Sequence, residues 1–182
     1  MKEKNKKRML TLLMSLFIIA IMISSILSIN TDENEKIKVN GYKFTKTNKG
    51  YLTYKEDKQI LVTNNPTELQ NFEVDKNILN LNANLKNYLS LESDAPYELR
   101  NAIQQVITTP IILAANTEEK SSLLNLPYKT CKDSKDSEGI INLIPDGGES
   151  SIFNKNCLEL KGDSDYYLKV FEKLKLVSEG IL

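Results

Sequence analysis

Nineteen consecutive residues, Met9 to Leu27, carry no charge and fifteen of them are apolar, and this run constrains the chain more than any other feature. At ~1.5 Å per helical residue it reaches ~28 Å, about the thickness of a bilayer's hydrocarbon core. Lys2, Lys4, Lys6, Lys7 and Arg8 precede it against Glu3 alone. A basic flank stays cytoplasmic, so the reading is a single-pass cell-membrane protein, N-terminus inside, with its domain extracytoplasmic. The division that follows is a cytoplasmic flank at 1–8, a transmembrane signal anchor at 9–29, a stalk at 30–38 and an exported domain at 39–182. A cleaved secretory h-region spans only ~7 to 15 residues and ends in a small-x-small site. Here the run is longer and Ile26 and Leu27 interrupt Ser24, Ser25 and Ser28, which favours a retained anchor over the alternative, cleavage near Ser28. A buried core helix would show a polar face. No cysteine sits at the end of the run to accept a lipid.

Beyond the anchor, the length fits one domain able to bury roughly 70 % of its unfolded surface. Setting aside the first eight residues leaves 19 basic against 23 acidic groups, a sign that argues against a nucleic-acid partner. The chain has no histidine, which excludes Ser-His-Asp and Cys-His catalysis, His-ligated zinc and histidine switching. Cys131 and Cys157 both lie in the exported part, where disulfides persist, so a bridge between them is the first reading. Two inert buried thiols, or a redox pair without Cys-x-x-Cys spacing, are the alternatives.

The pattern along the chain predicts an α/β fold, a single mixed sheet with about three helices. Order is expected from Val39. Gly41 to Lys46 and Tyr51 to Lys55 alternate around Asn48-Lys49-Gly50 as a hairpin, and Gln59 to Thr63 reads as a central strand covered on both faces. Asn65-Pro66 announces a helix to about Phe72. A strand is expected at Asn87 to Leu91, and then a helix whose stripe is Leu99, Ala102, Ile103 and Val106. Pro110 ends it before a buried strand at Ile111 to Ala115, giving a βαβαβ alternation. Thr117 to Leu126 holds a helical turn, and strands are expected at Tyr128 to Lys132, Gly139 to Ile144, Ser151 to Phe153 and Cys157 to Lys161. Gly162-Asp163-Ser164 caps a last helix with Tyr167, Val170, Phe171, Leu174 and Val177 on its apolar face and Gly180 at its stop.

No constellation of catalytic residues, metal ligands or cofactor contacts stands out. Asp133, Asp136 and Glu138 miss the calcium-loop pattern and read as a solvated loop. Asp146-Gly147-Gly148-Glu149 reads as a hairpin turn rather than a phosphate or metal loop. Eight tyrosines are dispersed; half-buried sheet and helix positions are the plain reading, a sugar- or peptide-binding platform the sharper one.

Leu126 to Asp133 around Thr130-Cys131, Asn156-Cys157-Leu158-Glu159-Leu160-Lys161-Gly162 and the terminal Gly180-Ile181-Leu182 give the chain a familiar layout. It resembles a group of small, uncharacterised, membrane-anchored archaeal proteins with an exported α/β domain and a C-terminal cysteine pair. The resemblance implies export and the cysteine pair but supplies no catalytic residues, and Ser134 with a longer polar loop stands where the group has a shorter Asp-Ala turn. The functional expectation is a binding or assembly component of a cell-surface complex, with a protein partner at the cell surface and the membrane held through Met9 to Leu27. A histidine-free, carboxylate-based hydrolase of surface polymers is the alternative.

Overall fold

The computed structural model describes residues 35–91, 95–145 and 148–182, together with Met14 and Ile18. Those two are helical and exposed; the rest of the expected span at 9–29 lies outside the described residues. Among the described residues no helix is long and apolar enough to cross a membrane. From Lys36 to Leu182 the chain forms a compact mixed α/β unit, built on two sheets rather than the single one expected.

The first sheet is an antiparallel meander of β1 (Lys36–Val39), β2 (Tyr42–Thr47), β3 (Gly50–Lys55) and β4 (Lys58–Val62), in that order. Two-residue turns join its strands, with Asn40 and Gly41 both at positive φ in the first, a conformation that glycine and asparagine adopt cheaply. The expected hairpin is there. The first strand begins at Lys36, three residues before the expected Val39, because Lys36 to Val39 pair with Tyr42 to Thr45. The stretch expected as a central strand is instead β4 at the sheet's edge, with Ile60 and Val62 buried and Leu61 exposed. A β-branched run reports strand propensity, and propensity alone does not say how many faces are covered.

The second sheet has the order β6-β5-β7-β9-β8, from β5 (Lys86–Leu91), β6 (Ile111–Ala115), β7 (Glu138–Ile144), β8 (Ser150–Asn154) and β9 (Cys157–Lys161). Its pairs are parallel except β8 with β9. The helices are α1 (Pro66–Asn71), α2 (Tyr97–Val106), α3 (Glu118–Leu124) and α4 (Ser164–Ser178), with 3-10 segments at Lys76–Ala83 and Cys131–Asp133. Of the expected βαβαβ only β5-α2-β6 stands where it was placed, since β4 belongs to the other sheet; a second parallel crossover, β6-α3-β7, follows it. Two further corrections concern strands. Tyr128 to Lys132 makes one isolated bridge at Tyr128 and then turns into the 3-10 segment, and β6 is an edge strand with Ile112 and Leu113 exposed.

Capping explains the helix starts. Asn65 accepts from the Thr67 N–H, Thr117 from Lys120 and Asp163 from Tyr166, each satisfying an N-terminal amide that has no partner in its own helix. At the amino ends of β5 and β7, Asn87 donates to the Leu81 carbonyl and the Thr109 hydroxyl and accepts from Asn84. A Cβ on Gly139 would lie 1.9 Å from the Asn87 Oδ1, so the network needs glycine beside it.

Helix α4 joins the two sheets. Tyr166, Tyr167, Val170, Phe171 and Leu174 pack with α2 beneath the five-stranded sheet, whereas Leu176 and, past the helix, Ile181 enter the core of the meander. Polar staples reinforce this. The Glu172 carboxylate, 5 % exposed, accepts from the backbone N–H and side chain of both Thr63 and Asn64 at 2.5 to 2.9 Å. Lys173 donates to the Gln70 carbonyl at the end of α1, Lys175 to the Leu61 carbonyl, and Lys55 and Lys58 reach Glu179. Removing a buried acceptor strands its donors. Glu172→Ala is expected to destabilise residues 36–182 by about 2–4 kcal/mol, and Glu172→Gln by less because its amide oxygen still accepts. Urea unfolding midpoints check this, equal midpoints for Ala and wild type being the adverse result.

Candidate functional site

The expected disulfide is present. Cys131 in the second 3-10 segment and Cys157 at the start of β9 are bridged, with their Cα atoms 5.3 Å apart. Cys157 is buried against Tyr88, Ala114 and Ile140, and Cys131 packs on that cluster from outside.

The acidic loop divides into separate structural roles. Asp133 closes a capping box with Thr130, accepting from its backbone N–H and hydroxyl, and this holds its carboxyl below the usual 3.8. Glu138 has become the first residue of β7; its hydrogen bond with Lys86, 2.9 Å away, holds its carboxyl below the usual 4.5. Lys86 and Lys129 both lie over the Tyr88 ring, at 5.4 and 4.7 Å. Among the described residues no group of three or more His, Cys, Asp or Glu side chains is placed to hold a metal ion. The Asp146-Gly147 turn lies outside the described residues. Tyrosine side chains do not gather into a platform: Tyr88, Tyr166 and Tyr167 are buried, while the exposed Tyr54, Tyr97 and Tyr128 belong to different elements.

Two features the sequence pattern did not flag remain. The first is a hollow of about 250 Å³ at the carboxyl ends of β5 and β7, lined by Leu91, Leu99, Leu143, Asp163, Ser164 and Tyr167. It lies where strand order reverses, the usual ligand position in open α/β sheets. Its walls are mainly apolar, its carboxylate already caps α4, and its volume falls below the ~300–1,000 Å³ of ordinary ligand pockets.

The second is a surface. Among the described residues strand β6 has no strand on its outer side, and only at Ala115 does the chain fold back to pair with it, through Pro127 and Lys129. Its five residues, Ile111 to Ala115, are all apolar, and Ile112 and Leu113 are exposed. Helix α3 follows and contacts β6 while burying none of its own side chains: Leu123 is 79 % and Leu124 55 % exposed. Tyr128, 42 % exposed, extends the same run of chain. An edge strand with free backbone groups and apolar side chains can take an added strand. The signal in the sequence is slight: Leu123 and Leu124 close a polar helix with no apolar residue three or four places before them.

No family model matches the chain, and neither a curated protein nor a solved structure matches it.

Two outcomes follow from the bridge and its neighbours. Reducing the disulfide is expected to cost about 3–4 kcal/mol in the chain-entropy account, since it joins cysteines separated by 26 positions in the sequence; denaturant midpoints with and without reductant measure it, and unchanged midpoints would remove the bridge from the stability of the fold. The depressed carboxyls of Asp133 and Glu138 contribute stability that is present above the unfolded values of 3.8 and 4.5 and is lost as pH falls through the lower folded values. Asp133→Asn with Glu138→Gln should therefore flatten the acid limb of stability against pH while leaving its shape above pH ~6 unchanged. A limb as steep as wild type would refute this.

Proposed function

We propose that the chain is a single-pass membrane-anchored binding protein whose extracytoplasmic α/β domain docks a protein partner on the β6–α3 surface, as a component of a cell-surface complex. The anchor is Met9 to Leu27, with the basic flank of residues 1–8 inside; the disulfide agrees with an oxidising exterior. The likeness to small membrane-anchored archaeal proteins points the same way. One observation carries the docking role: apolar side chains of β6 and α3 lie exposed beside unpaired strand edge. The occupant is an extended, apolar protein segment, because Ile111 and Leu113 offer backbone groups on that edge and no charged side chain interrupts the strand.

The hydrolase alternative needs two carboxylates converging in a deep cleft. Asp133, Asp163, Glu138 and Glu172 each engage capping or clamping donors instead, which favours the binder.

The test has two arms on the full chain in its native membrane. Carbonate washing should leave the protein in the membrane fraction, whereas a soluble form starting near Ile29 would mean a cleaved signal. Leu113→Lys with Leu123→Glu should keep the thermal midpoint and abolish recovery of a partner that wild type brings down after crosslinking. If the charged variant retains every partner, the surface is not the docking site.

A further inference from the structure

A hollow of about 740 Å³ lies where the link after α1, the start of β8 and helix α4 meet, sharing no residue with the β6–α3 surface. Phe72, Lys76, Glu149, Ser151, Tyr166 and Lys173 are among its walls. Phe72 and Tyr166 meet edge to face, ring centroids 5.8 Å apart, and form an apolar side.

The polar groups are unusual in what they lack. Lys173 is 9 % exposed, and its ammonium donates to the Gln70 carbonyl at 3.0 Å with no carboxylate partner among the described residues. Burial, and after it the Lys76 charge, hold this amine below the ordinary lysine value, as expected for a buried cation short of negative charge. The Ser151 hydroxyl is buried and has no partner among the described residues. Burial, with Glu149 adding to it, raises the Tyr166 phenol, which keeps it a proton donor. Capping the end of α1 accounts for one bond of Lys173; it leaves the Ser151 hydroxyl unexplained, and unpaired buried polar groups are rare without a ligand or water.

A cation and two hydroxyls suit a carboxylate. A phosphate dianion suits the place less, because Glu73, Asp75 and Glu149 also line the hollow and would repel a second negative charge. Those same carboxylates attract an ammonium. We propose that this hollow binds a small zwitterion of the free α-amino-acid or short-peptide class, its carboxylate on Lys173, Ser151 and Tyr166, its ammonium toward Glu149 and its side chain against Phe72. No covalent step is involved.

Calorimetric titration of the full chain in detergent micelles tests this, with leucine, N-acetylleucine, leucinamide and inorganic phosphate as probes. Leucine should saturate the protein, leucinamide should bind roughly tenfold or more weakly for want of a carboxylate, and N-acetylleucine should fall between them. Ser151→Ala should weaken leucine and N-acetylleucine alike. Glu149→Gln should erase the difference between those two probes. Lys173→Met also loosens α1, so the Ser151 and Glu149 variants, whose thermal midpoints should match wild type, decide the outcome. No saturation by leucine up to ~10 mM, leucinamide equal to leucine, or phosphate as tight as leucine would each overturn the proposal.

Discussion

The Glu172 carboxylate is the interaction on which the assembly of this domain depends. A four-stranded meander with one covered face has little core of its own, and a small isolated sheet is marginal in water. Helix α4 supplies the missing cover with Leu176, followed by Ile181. Hydrophobic contact alone is non-directional and would let the sheet slide along the helix. Glu172 removes that freedom, because only one placement of Thr63 and Asn64 gives its buried charge four donors. Its neighbour Lys173 then holds the end of α1, so consecutive residues on one helix catch the chain as it leaves the meander and again as it leaves α1.

Fixing two open sheets together leaves four edges, and they are treated differently. Strand β1 carries Lys36 and Lys38, charges that discourage edge pairing. At β4 the Leu61 carbonyl is taken by Lys175 from α4. Strand β8 is polar at Ser150, Ser151 and Asn154. Strand β6, Ile111 to Ala115, has no such device among the described residues apart from the single closure at Ala115. An unguarded apolar edge is a hazard in a monomer and a resource in a protein that binds, and the other three guarded edges make the contrast informative.

Legibility in the sequence followed how local the cause was. Caps at Asn65 and Asp163, the stripe of Leu99, Ala102, Ile103 and Val106, and strand β9 are set by residues within a few places of one another, and all are where the pattern put them. The number of sheets is not local. Nothing within Gln59 to Thr63 distinguishes a central strand from an edge; that depends on whether β5 pairs beside β4 or starts a second sheet. Helix α4 shows the same limit. Its stripe of Tyr167, Val170, Phe171 and Leu174 was visible, but Leu176 rather than Val177 is the buried residue of its last turn, because a second sheet waits on a different side. The candidate surface was hidden for the same reason: Ile111 to Ala115 reads as buried until the strand order places it last.

The disulfide is best understood from the crossover between β6 and β7. Helix α3 buries no side chain, and the loop after it makes two isolated bridges, Tyr128 with Ala115 and Lys135 with Glu138, and a short 3-10 segment, so apolar burial does little to hold residues 116–137. Polar pins take over: the Ser90 hydroxyl donates to the Lys129 carbonyl, the Asn156 amide to the Lys135 carbonyl, and Asp133 closes its cap on Thr130. Cys131 joins this stretch covalently to β9 between those pins. An unpinned crossover would have to be ordered when a partner arrives, at ~1–2 kcal/mol of backbone entropy per residue. By tying it down beforehand the bridge fixes β6, α3 and Tyr128 relative to β9, and under the docking role proposed above the cysteine pair would act on binding through the entropy it has already removed.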